Sequence, residues 1–242
     1  MQATSEIEIN KKREKTFNEK VIVPFWSLAA LLVVMNTTMF NVALPNVANE
    51  FSLTPTVASW IVTAYSVVFG IATITYSRLT DYLPIRKMVL FGALLLGISS
   101  LLGYFAHHFI LLLAARILQA VGAASFPGLG YVLFSRYIPS ERRGSAMAAI
   151  ASGTSLGFGL GPVIGGALTQ FLGWNYLFVL TGLVLLTIPF FHHYVPQEQK
   201  KSVHFDLLGS ILVAAGITGL LLFVTTFALW ALFMGLAAAG LL

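Results

Sequence analysis

Apolar residues run along this chain in long unbroken blocks separated by short polar stretches. Blocks lie near 22–45, 57–77, 88–106, 109–134, 145–172, 174–194 and 207–226, and an eighth, 227–242, reaches the last residue. Each of the first seven matches the roughly 20 residues that carry a helix across a bilayer. None alternates apolar and polar positions over ten-residue segments, so a transmembrane β-barrel is excluded. The pattern predicts an all-α integral membrane protein. Its expected layout is a polar tail over 1–20, a six-helix bundle over 21–194, a loop over 195–206, and a seventh and partial eighth helix over 207–242.

Composition narrows the function. Of the 242 residues, 57% are hydrophobic and 10% charged, against about 25% charged in soluble domains. Short loops leave no room for a large extramembrane catalytic domain. With no cysteine, disulfides, thiol catalysis and cysteine metal sites are excluded. The first apolar block is too long for a signal-peptide core and no small-residue cleavage site follows it. No cofactor, metal or nucleic-acid partner is expected; the lipid bilayer is the partner that the composition requires.

Charge placement gives the orientation. Lys11, Lys12, Arg13, Lys15 and Lys20 precede the first block; Arg78, Arg86 and Lys87 follow the second; Arg136, Arg142 and Arg143 follow the fourth; Lys200 and Lys201 follow the sixth. The alternate connections hold no Lys or Arg. Positive loops stay inside, so a multi-pass protein of the cell membrane with a cytoplasmic N-terminus is expected.

Arg116 is the exception, about two turns into the fourth block. An arginine at mid-helix costs about 2.5–3.5 kcal/mol on insertion scales and marks a functional site by default. It either faces the bundle interior or reaches back to the outer interface. Gln119 shares its face at i+3. The acids Glu6, Glu8, Glu14, Glu19, Glu50, Asp81, Glu141, Glu198 and Asp206 all lie outside the spans. The available partners of Arg116 are therefore Asn36, Asn41, Gln119, backbone carbonyls or a group on another chain. Thr37 and Asn41 share a face of the first helix, and the second adds Thr63, Tyr65, Ser66, Thr73, Thr75 and Tyr76. A few directed polar groups in an apolar setting suit a large, mostly apolar ligand.

The fifth block carries Gly153, Gly157, Gly161 and Gly165 at every fourth position, the small-residue spacing that lets helix backbones approach closely. Pro162 within it removes a helix hydrogen bond and is expected to bend the helix. The stripe reads either as packing alone or as a bend at a moving interface.

Together these stretches resemble the major facilitator superfamily, specifically its fourteen-helix drug:proton antiporters. NVALP (Asn41–Pro45), SRLTDYLPIRK (Ser77–Lys87), ARILQAVGAAS around Arg116, and GFGLGPVIGG (Gly157–Gly166) are similar to four of its signatures, in the family's order. HFDLLG (His204–Gly209), with Asp206, is similar to the opening of the seventh helix in that branch. HFDLLG and SFPGLGYVLFSRYIPSERRG, which contains Arg143, resemble tetracycline efflux proteins of Gram-positive bacteria. The resemblance implies that Arg116 is tied to proton coupling. Asp81, Arg86 and Lys87 would form a cytoplasmic charge latch. Gly157, Gly161, Pro162, Gly165 and Gly166 would form the antiporter bend. Six-helix halves, each of two inverted three-helix repeats, rock around a midplane site in such proteins. The departures are Ser77, Pro84 and Ala120 in place of motif glycines, and neutral Asn36 and Thr37 where the family usually has an acid.

The function implied is export of a drug-like compound, with tetracycline as the nearest guess, in exchange for protons. The chain is read as an N-terminal half, completed by a missing C-terminal half or a second protomer. The alternative is a non-transporting membrane protein that docks to a partner through its glycine face. An intramembrane enzyme is the weakest reading: His107–His108 and His192–His193 lie at opposite span ends, and adjacent helical residues point about 100° apart.

Overall fold

A computed structural model of the protein describes residues 17–196. Six helices there are long and apolar enough to cross a membrane: α1 (Glu19–Glu50), α2 (Pro55–Leu79), α3 (Ile85–Tyr104), α4 (Phe109–Tyr137), α5 (Ser140–Phe171) and α6 (Tyr176–Tyr194). In α6 a 3-10 turn, Leu183–Thr187, sits between two α-helical segments. Among the described residues there is no β-strand. The expected seventh and eighth helices, Asp206, and the Lys11–Lys15 cluster lie outside the described residues.

The helices run a few residues beyond most of the apolar blocks, and local chemistry accounts for it. Asn18 caps α1 through its side chain, which accepts from the Lys20 amide at 3.2 Å. Thr54 caps α2, accepting from the Val57 amide at 3.4 Å, and Pro55 occupies the first turn, where a missing N–H costs nothing. Between α5 and α6, Gly173 takes φ 104°, a conformation glycine adopts freely, and the chain reverses within four residues.

Helix α5 continues through Pro162 to Phe171, with Pro162 on an exposed face. The most extensive packing joins α1 to α5; α4 packs on both α3 and α2, and α6 on α3. Exchanging α1 with α4 and α2 with α5 converts the α1–α5 pair into the α4–α2 pair, as two inverted three-helix repeats require.

The α1–α5 contact is where the glycine stripe goes. A Cβ on Gly153 would stand 2.5 Å from the Ser27 carbonyl oxygen, and one on Gly157 2.7 Å from that of Leu31. One on Gly165 would stand 2.7 Å from Met39 Cα, and one on Gly161 would overlap the Thr38 hydroxyl. The Thr38 hydroxyl lies 3.1 Å from the Met35 carbonyl oxygen of its own helix and 3.3 Å from that of Gly157, which share its one proton. The face expected to be available for a partner is thus filled by α1 of the same chain. That removes the surface on which the docking alternative depended.

Apolar packing falls into two clusters. One centres on Trp26, whose indole N–H donates to the Phe126 carbonyl at 3.0 Å and whose ring meets Phe126, Phe134 and Phe191. The other holds Met39, Phe40, Leu112, Trp174 and Phe178. Along α1 they meet between Val33 and Met35, and along α4 between Leu112 and Ala120. A buried polar layer occupies that junction.

Candidate functional site

Arg116 stands in this layer, fully buried. It lies seven residues past Phe109, about 10 Å along the helix axis. Its Nη1 donates to Asn36 Oδ1 at 3.0 Å and to Gln119 Oε1 at 2.9 Å. The guanidinium lies between two aromatic faces, with its carbon 3.9 Å from the Phe40 ring centroid and 4.1 Å from that of Tyr65. The alternative in which Arg116 reaches back to the outer interface is not what this geometry shows.

Each amide has a second partner. Gln119 Nε2 donates to the Ser100 hydroxyl at 2.8 Å, and Ser100 donates onward to the Leu96 carbonyl at 2.7 Å. Asn36 Nδ2 donates to the Tyr65 hydroxyl at 3.4 Å. Four helices meet here: α1 supplies Asn36 and Phe40, α2 Tyr65, α3 Ser100, and α4 Arg116 and Gln119.

Magnitudes explain how a cation is held without a carboxylate. Hydrogen bonds to a charged group contribute about 1.5–3 kcal/mol each, and a desolvated ring face about 2 kcal/mol. Two of each offset an insertion cost of about 2.5–3.5 kcal/mol. Two guanidinium nitrogens stay unmatched: Arg116 Nε and Nη2 are buried with no hydrogen-bond partner. Those two N–H groups point the same way and form the fork that grips one carboxylate bidentately.

The other residues singled out in the sequence fall elsewhere. Asn41 is exposed, one turn beyond Asn36 and outside the cage. Asp81 forms an ion pair with Arg136 at the end of α4, at 3.4 Å. Arg136 also donates to the Thr80 carbonyl and hydroxyl, at 3.4 and 3.3 Å. The loop motif is therefore bound to α4. Arg143 donates to the Ile138 carbonyl at 3.3 Å, and Arg142 pairs with Glu19. These charges collect at one end of the bundle. At the other end the Trp174 indole donates to Glu50. Gly166 only brushes Val42, at 3.7 Å for an added Cβ.

Sequence reasoning missed Phe40 and Ser100, and counted Arg136 only among the loop cations without matching it to Asp81. A phenylalanine in an apolar run carries no signal of a cation above its face. Tyr65 stood among the polar residues of α2 without being matched to Arg116.

Residues 26–242 match the family model of the Major Facilitator Superfamily. The chain belongs to that superfamily. Its members are transporters rather than enzymes. Over 201 residues the chain is 30% identical to the uncharacterised MFS-type transporter YwoD of Bacillus subtilis, covering 80% of this chain and 44% of that protein. It is 32% identical to the puromycin resistance protein pur8 of Streptomyces alboniger, covering 79% and 39%. With the riboflavin transporter RibZ of Clostridioides difficile the identity is 28%, covering 87% and 47%. The chain thus spans less than half the length of these relatives. Superfamily members of known structure share the fold. The human organic anion transporter MFSD10 (TETRAN) aligns with TM-score 0.64 at 18% identity, over 85% of this chain and 56% of that one. A peptide transporter POT aligns with TM-score 0.66 at 14% identity, over 90% and 55%.

Proposed function

We propose that this chain supplies the N-terminal six-helix half of a proton-coupled secondary transporter that exports drug-like compounds, with its N-terminus in the cytoplasm. The observation that carries the reading is the neutral cage around Arg116. A cation is held in the bilayer by amides and rings, while its carboxylate-gripping fork is left open. In a proton-coupled cycle an acid that gains and loses its proton is gripped by that fork only when ionised. The acids of the described residues lie at helix ends or in a loop, Glu19 and Glu50 at the two ends of α1, Asp81 between α2 and α3, and Glu141 in the first turn of α5, so the proton carrier belongs to a second six-helix half, from a longer chain or a second protomer. The α1–α5 contact supports the same reading as a tight seam that lets the two helices move as one piece.

The fourteen-helix branch and tetracycline rest on the resemblance of Gly157–Gly166, HFDLLG and SFPGLGYVLFSRYIPSERRG to that group. Puromycin and riboflavin enter as further candidate cargoes through the names of the two relatives. In the test, drug-sensitive cells express the full chain, alone and with a supplied C-terminal half, and accumulation of tetracycline, puromycin and riboflavin is measured. Lower accumulation of at least one compound, restored by a protonophore, is expected once both halves are present. Unchanged accumulation of all three in cells where both halves reach the membrane would overturn the cargo assignment.

A further inference from the structure

The hydrogen-bond chain on the α3 side has a direction. Ser100 has one hydroxyl proton, and it is spent on the Leu96 carbonyl at 2.7 Å. Toward Gln119 the serine therefore offers only lone pairs, which accept the Gln119 amide N–H at 2.8 Å. Gln119 must then turn its carbonyl to Arg116, where it receives Nη1 at 2.9 Å. Flipping that amide would set oxygen against the Ser100 lone pairs and NH₂ against the guanidinium, both repulsive. Ser100 is buried, and its hydrogen bonds run to Leu96 and Gln119. The Tyr65 hydroxyl imposes no such direction on Asn36, because a phenol donates and accepts equally well.

We infer that Ser100 is a positioning residue for Arg116: through Gln119 it selects the amide orientation that holds the guanidinium in place with its Nε and Nη2 fork open. The inference rests on the coupling role proposed for Arg116. Gln119 carries the discriminating test, because a side chain of similar length without an amide has nothing to orient. Ser100→Ala should therefore be harmful beside Gln119 and nearly silent beside Met at position 119.

The experiment is a double-mutant cycle of Ser100→Ala and Gln119→Met in the transporter containing the full chain. Two readouts are taken: proton-driven transport, and thermal unfolding of the purified protein followed by tryptophan fluorescence. With Gln119 present, Ser100→Ala is expected to lower transport about tenfold, the size of one lost charge-assisted bond, and Tm by about 4 °C. In the Gln119→Met background the same change is expected to cost less than about twofold, with a Tm shift below about 1 °C. Equal losses in both backgrounds would overturn the inference and leave Ser100 as a space-filling residue. Where Gln119→Met by itself stops transport, the unfolding cycle decides. A coupled unfolding cycle with transport indifferent to both Ser100→Ala and Arg116→Ala would keep the positioning role and reject the coupling role of Arg116.

Discussion

Alanine substitutions at Gly157 and Gly159, two positions apart on α5, should shift stability in opposite directions. A Cβ on Gly157 would stand 2.7 Å from the Leu31 carbonyl oxygen and 3.2 Å from the Met35 amide nitrogen. Both are backbone atoms, so no rotamer change relieves the clash. Restoring an ordinary contact near 3.4 Å moves α5 off α1 by about 0.7 Å. It would also lengthen the Thr38 bond to the Gly157 carbonyl. Overpacking of this kind costs about 1–3 kcal/mol, while alanine for glycine within a helix returns about 1 kcal/mol. The net is a destabilisation of at most about 2 kcal/mol. Around Gly159 an added Cβ meets nothing within 4 Å, so only the gain of about 0.5–1 kcal/mol remains. In thermal unfolding of the purified protein, Gly157→Ala is expected to lower Tm, by up to about 8 °C, and Gly159→Ala to raise it by about 1–4 °C. An equal rise for both would refute the close α1–α5 seam.

Three further outcomes follow from the same geometry. The chain has no cysteine, so Ser140→Cys is expected to be labelled only from the cytoplasm and Ser52→Cys only from outside, as read with an impermeant maleimide on intact cells. Asp81→Asn removes an ion pair whose side chains are 65% and 37% exposed. Its effect on Tm should therefore stay within about 1 kcal/mol equivalent, and any transport loss at equal abundance would belong to the cycle rather than to folding. Phe40→Leu keeps most of the apolar volume but removes a ring face from Arg116; it should cost about 1–2 kcal/mol, more than the same change at Phe91, which is 58% exposed.

The spans were legible because membrane crossing imposes a length and a composition that few other constraints produce. Their ends were less so: the Asn18 and Thr54 caps carry α1 and α2 past the apolar blocks. Arg116 was legible as a lone cation in an apolar run, and Asn36 and Gln119 as amides within reach. The aromatic half of the cage was not, since Phe40 looks like any core residue and only the crossing of α1 over α4 puts its face on the guanidinium. Spacing showed that the α5 glycines share a face, but periodicity within one helix names no occupant, and α1 took it. The motif named Asp81 but not its partner in the fold, because it is the antiparallel return of α4, and not spacing along the chain, that brings Arg136 to it.

The central claim is that Arg116, held in a neutral cage with its fork open, couples proton movement to export. It is tested most directly by proton-gradient-driven uptake of a labelled substrate into inverted vesicles containing the complete transporter, with Arg116 and with Arg116→Ala at equal abundance. The account predicts protonophore-sensitive uptake with Arg116, and uptake at the level of empty vesicles with Arg116→Ala. It predicts a large loss for Arg116→Lys as well, because an ammonium has no planar fork. Gradient-driven uptake by Arg116→Ala at the wild-type rate would contradict it.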